Sequence, residues 1–207
     1  MLNIEAVLKE KIAEIPDYSI TTLFADADAY FVVIKNVIHH LVMERNMGGV
    51  YLTATRPAKA ILSRLRADKI KMADVYFIDC ISYTVGGGGV ATSQIVYLES
   101  PSMLEGILLK MEWLLRRIRT EKKFMFFDSI NTLQIYNEEK ILLEFLHVLV
   151  NKLRTEDVFS VILSMGSQTN KSIESMLSLA CDDTIDIRRS VLMAAKKEAV
   201  YSLGEGT

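Results

Sequence analysis

The chain reads as one α/β domain, a mostly parallel sheet held between two layers of helices. Three observations predict this. Short apolar runs alternate with amphipathic segments along most of the 207 residues, the order expected when parallel strands are joined by crossover helices. The runs are apolar on both faces, as strands are when helices cover both sides of a sheet. Half of the residues are hydrophobic, enough to fill a single core at this length.

The elements follow in order. Ile4, Val7, Leu8, Ile12 and Ile15 fall at helical spacing before Pro16, so residues 1–17 form an N-terminal docking helix. Its interleaved charges (Glu5, Lys9, Glu10, Lys11, Glu14) rule out a signal peptide. Its mixed polar face argues against a membrane-surface helix. Residues 19–24 form the first strand. The helix over 31–44 carries Val33, Ile34, Val37, Ile38, Leu41 and Val42 on one face. Gly48-Gly49 closes the connection to a strand over 50–54. Pro57 suits the first turn of a helix to about residue 67, because its missing N–H is not needed there. Residues 75–81 form a third strand.

A four-glycine run, Gly86 to Gly89, and strand-like residues 94–98 then predict a hairpin or a mobile loop. Ser102 and Glu105 resemble a capping box before the stripe Leu104, Ile107, Leu108, Met111, Leu115 and Ile118. A strand over 124–127 follows. Asn137 is a cap candidate for a helix with stripe Ile141, Leu142, Phe145, Leu146, Leu149 and Leu153. Strands over 159–165 and 184–187 flank a helix over 171–179. Residues 18–190 thus make the α/β domain, and 191–207 a last helix and tail.

Composition excludes several classes. A net charge of −2 gives no general attraction to nucleic acid or an anionic membrane. Cys80 and Cys181 are too few for a disulfide framework, so the cytoplasm is expected. No run has the length and apolarity of a membrane span.

Residues 123–129 read Lys-Phe-Met-Phe-Phe-Asp-Ser. This apolar strand ending in Asp128-Ser129 resembles the Walker B strand of the RecA superfamily, KaiC-like proteins included. Gly49-Val-Tyr-Leu-Thr53 with Arg56-Pro57 resembles that family's second strand and turn, and Phe77-Ile-Asp79 its third. Phe145-Leu-His147 and Asn151-Lys-Leu-Arg154 resemble the helix after Walker B, and Cys181-Asp182 before Ile185 its closing strand. The likeness covers residues 18–188, is nearest to archaeal KaiC-like proteins, and implies one extra strand between the phosphate-loop strand and the Walker B strand. It also implies ATP and Mg2+ at the carboxyl ends of the strands.

Carried over residue by residue, the ATP site mostly fails. A phosphate loop needs glycines, a lysine and a hydroxyl at the start of the helix, whose N-terminus favours anions. The matching residues 25–31 read Ala-Asp-Ala-Asp-Ala-Tyr-Phe. Asp26, Asp28, Tyr30 and Phe31 occupy the degenerate phosphate-loop position, and each acid about 4 Å from a phosphate charge would cost about 4 kcal/mol at an effective dielectric of roughly 20. The family's catalytic glutamate after the second strand is replaced by Ala54-Thr55. Only the Walker-B-like remnant, Asp128 and Ser129, persists. The expectation is a non-catalytic regulatory or interaction module with no catalytic or nucleotide-binding residue and no cofactor, partnered by another protein or by itself. The alternatives are a divergent ATPase or nucleotide sensor using Asp128 with Mg2+, and an accessory paralogue for DNA recombination.

Smaller signals carry paired readings. Asp28 suits the cap of the following helix, with Asp26 a solvated neighbour. Asp26, Asp28, Asp79 and Asp128 together are the candidate ligands for a hard cation. Arg116, Arg117, Arg119, Lys122 and Lys123 are the nucleic-acid candidates, against a solvated helix end that offsets the macrodipole. Cys80 reads as structural. Trp113 lies off its helix stripe and is a candidate partner contact.

Overall fold

The structure is a computed structural model that describes residues 4–87, 91–166 and 170–189. The helix and tail expected over 191–207 lie outside the described residues.

Among the described residues, seven strands form one sheet in the order β4-β3-β2-β5-β6-β1-β7. They are β1 (Ile20–Ala25), β2 (Gly48–Thr53), β3 (Val75–Asp79), β4 (Ile95–Tyr97), β5 (Lys123–Asp128), β6 (Phe159–Met165) and β7 (Asp183–Asp186). Every pairing is parallel. The extra strand implied by the resemblance is β6, which separates β5 from β1. Among the described residues the α-helices are α1 (Ile4–Glu14), which precedes β1, and α2 (Tyr30–His39), α3 (Ala58–Ala67), α4 (Leu104–Leu115), α5 (Ile130–Tyr136), α6 (Glu139–Thr155) and α7 (Lys171–Ala180) between the strands.

The pleat sorts strand side chains into two cores. Phe124 and Phe126 of β5 join Tyr51, Phe77, Val161 and Leu163 beneath α1, α2 and α3. Met125 and Phe127 join Val50, Leu52, Ile78 and Ile162 against α4 to α7. Leu8 and Ile12 of α1 are fully buried.

Several local expectations are corrected. Residues 95–97 pair with β3 in parallel, so the glycine-rich stretch makes no hairpin; residues 88–90 of that run lie outside the described residues. β2 begins at Gly48, two residues earlier than read. Gly49 is required there, because a Cβ would stand 2.4 Å from the Phe124 ring. Ser102 makes no capping box, since the N-cap of α4 is Met103 and the Ser102 hydroxyl pairs with Ser100 at 2.8 Å. Asn137 precedes the N-cap of α6, Glu138, and instead donates from Nδ2 to the Leu133 carbonyl at 2.7 Å. The helix read over 31–44 ends as α2 and continues as one π-helical turn, His40–Glu44.

Candidate functional site

The carboxyl ends of β1, β2, β3 and β5 bring the flagged residues to one edge of the sheet, where open α/β proteins place ligands. Strand register sets the frame. Thr53 of β2 lies between Asp79 of β3 and Asp128 of β5. Parity sets the direction: Phe124, Phe126 and Asp128 share one face of β5, so Asp128 turns toward α2 rather than α4.

There it is fully buried. Its Oδ2 accepts the Tyr30 hydroxyl at 2.5 Å and the Tyr51 hydroxyl at 2.7 Å. Its Oδ1 has no hydrogen-bond partner. Burial pushes the Asp128 carboxyl up to about 6, against the lowering influence of the Tyr30, Tyr51 and Thr55 hydroxyls and the Arg56 guanidinium. The same burial, reinforced by the Asp128 charge, pushes both tyrosines well above the ordinary phenol range. A hydroxyl cluster borders the carboxylate: Thr55 Oγ1 lies 3.3 Å from Ser129 Oγ and 3.1 Å from Thr132 Oγ1.

Tyr30 reaches Asp128 because the connection before it is short. Only Asp26 separates β1 from a 3-10 turn, Ala27–Ala29, and α2 starts at Tyr30. The turn closes on itself, with the Ala29 N–H donating to the Asp26 carbonyl at 2.9 Å. On its outer side, the Arg56 guanidinium lies 5.2 Å from the Tyr30 ring centre and 4.9 Å from that of Phe31. Such cation–aromatic contacts hold both rings in place.

The two acids of this junction have another partner. Asp26 Oδ2 accepts the Arg189 backbone N–H at 2.8 Å, and Asp28 pairs with the Arg189 guanidinium. Asp28 therefore does not cap α2, and Asp26 is not merely solvated: neither side chain accepts a helix N–H. Asp79 is committed elsewhere. Its Oδ2 accepts the Ala58 N–H at the start of α3 (2.8 Å) and the Ser82 hydroxyl (2.7 Å), and its Oδ1 accepts the N–H groups of Ile81 and Ser82. Asp79, Asp128 and the Asp26–Asp28 pair thus have separate partners. Among the described residues no group of three or more His, Cys, Asp or Glu side chains comes together to hold a metal.

The basic cluster lies away from this edge, at the end of α4 and the start of β5. Lys122 pairs with Asp17 at 2.5 Å, and Lys123 donates to the Leu115 carbonyl at 3.0 Å. Arg117 stacks 4.6 Å from the half-exposed Trp113 ring, while Arg116 and Arg119 are exposed. Cys80 and Cys181 are both free, and burial raises both thiols. No described helix is long and apolar enough to cross a membrane.

Sequence reasoning missed Tyr51 and Arg189 as partners of the flagged acids. Parity was the available signal for Tyr51, which shares a β2 face with Thr53, beside Asp128. No local pattern announces the pairing of Arg189 with residues 161 and 163 positions earlier.

No protein-family profile matches the chain, and no curated protein does. Among solved structures, the crystal structure of a KaiC-like protein from the hyperthermophilic archaeon Pyrococcus horikoshii is similar over 84% of this chain and 72% of that one, with a TM-score of 0.60 at 15% identity. At that identity the likeness shows the fold alone: a parallel α/β sheet between helical layers, arranged as in that KaiC-like protein.

Proposed function

We propose that this chain is a non-catalytic RecA/KaiC-like module that works in the cytoplasm by binding another protein or itself, with no ATP held in the family manner. One observation carries the reading. Where a relative would wrap a triphosphate, β1 turns into helix after a single residue, and the first α2 side chain, Tyr30, is hydrogen-bonded to Asp128. Such a junction has too few residues to form a nest of inward N–H groups. Residues 25–31 contribute no lysine, and Asp26 and Asp28 place negative charge at the rim. The acid that relatives turn toward Mg2+ is here occupied by two phenols.

Tyr30, with Arg56 stacked on it, therefore acts as a fixed plug between β1 and β5. The plug orders the edge without leaving a group to activate water. Isothermal titration with Mg·ATP tests this: no saturable heat is expected up to millimolar nucleotide. A dissociation constant in the micromolar range, equivalent to about 8 kcal/mol of binding, would overturn the reading in favour of a divergent nucleotide sensor.

A further inference from the structure

We propose that two copies of this chain pair through α4, antiparallel about a two-fold axis that passes between Leu109 and Trp113. This pairing rests on the reading above, that the module binds another protein or itself, and names the partner as a second copy.

Glu105, Leu109, Trp113 and Arg117 follow one another at intervals of four residues along α4 and its terminal turn. That spacing sets them in one ridge on the helix surface. All four are exposed, the two apolar members by 67% for Leu109 and 48% for Trp113. The opposite side of α4 already has its partner, since Leu104, Ile107, Met111, Leu114 and Leu115 are buried in the core. The ridge is therefore a second apolar surface on the same helix, with one acid before it and one base after it.

Within one copy those two charges are left unmatched. Glu105 and Arg117 stand about 18 Å apart at 1.5 Å per residue, and neither forms an ion pair among the described residues. Glu112, beside the ridge, is by contrast neutralised by Lys152 of α6. Arg117 instead lies 4.6 Å from the centre of the Trp113 ring, a contact that steadies the ring and still leaves half of the side chain in water.

Turned end for end, the ridge complements itself. With Leu109 opposite Trp113 of the second copy, Glu105 falls opposite Arg117, and symmetry repeats both contacts, as a two-fold interface requires. Ridges of four-residue spacing run alongside each other when two helices cross at about 50°, the commonest packing in globular proteins. A partner of one sign, such as a nucleic acid, would attract Arg117 and repel Glu105. A copy of the same ridge satisfies both. One ridge per copy makes a small contact, at the transient end of protein interfaces.

Sedimentation equilibrium of the full chain tests the pairing. A monomer–dimer equilibrium with a dissociation constant of about 10–100 µM is expected. Trp113→Ala is expected to weaken it at least about tenfold. Glu105→Arg and Arg117→Glu each set like charges face to face and are expected to weaken it by a similar factor, about tenfold or more. The double variant Glu105→Arg/Arg117→Glu restores the match in reverse and is expected to return to within about threefold of the wild type, because the two positions are coupled by contact. Leu179→Asp, at a still more exposed apolar residue on α7, is expected to leave the constant unchanged. All of these positions are exposed, so melting transitions are expected to show each variant folded. A chain that stays monomeric throughout, a dimer that survives both single charge reversals, or a double variant no tighter than the single ones would overturn the proposal. Calorimetry with Mg·ATP on the same wild-type sample separates this from the proposed function: a silent titration of a monomeric chain overturns only the pairing, and ATP binding by a paired chain overturns only the earlier reading.

Discussion

Asp128 and the Asp26–Asp28 pair stand at the same edge of the sheet and differ in almost every physical respect. Asp128 is fully buried and bonded to two buried phenols. Asp28 and its partner Arg189 have side chains 55% and 63% exposed. The same functional group is therefore a structural keystone in one place and a weak, screened contact in the other. Exposed ion pairs contribute little because water already solvates both charges, whereas a buried donor that loses its acceptor has nowhere else to turn.

The contrast predicts a graded series. Asp128→Ala strands the Tyr30 and Tyr51 hydroxyls and is expected to destabilise the fold by about 3 kcal/mol, read as a lower urea midpoint at unchanged slope. A loss below that of an exposed-site substitution would break the comparison.

Acid–base behaviour sharpens it. The folded-state value of Asp128, about 6, lies above the ordinary 3.8. The native state therefore holds this proton more tightly than the unfolded chain. The resulting contribution is fully present below about pH 4 and is lost as pH rises through about 6, a change of roughly 2–3 kcal/mol. Subtracting Asp128→Asn removes the other carboxylates from view. The wild type is expected to lose ground against that variant between about pH 4 and pH 6, and a flat difference would contradict the burial argument.

Tyr30→Phe removes one hydrogen bond to a charged acceptor and is expected to cost about 2 kcal/mol, with the Asp128 carboxyl moving further up in a carboxyl-detected NMR titration. Asp28→Asn comes last. It is expected to change stability by less than about 1 kcal/mol, and that small effect should fade with added salt.

Much of the fold was legible because strand and helix patterns are local. The apolar runs of β5 and β6 and the stripes of α4 and α6 announced themselves, and their order was enough to suggest the sheet. α5 was not read: its seven residues bury only Ile130 and Leu133, too short a stretch to show a helical period. The parallel pairing of β4 was also hidden, since three residues carry no sign of direction.

The candidate site was legible in its parts and not in its joins. Asp26, Asp28, Asp79, Asp128 and Tyr30 were all singled out from the sequence. What each one touches depends on pleat parity and on contacts such as Asp79–Ala58, Tyr30–Asp128 and Asp26–Arg189, across 21, 98 and 163 residues, which no local rule supplies. Asp79 shows this well. It read as a ligand candidate, yet β3 delivers it to the first N–H of α3, where it works as a remote cap.

The central claim is that Tyr30 and its neighbours fill the place a triphosphate would need. Its most direct test is the melting temperature of the full chain with and without millimolar Mg·ATP. Coincident transitions are predicted. Binding at about 100 times its dissociation constant would add about 2.7 kcal/mol, and a saturable upward shift of the size this implies would contradict the account.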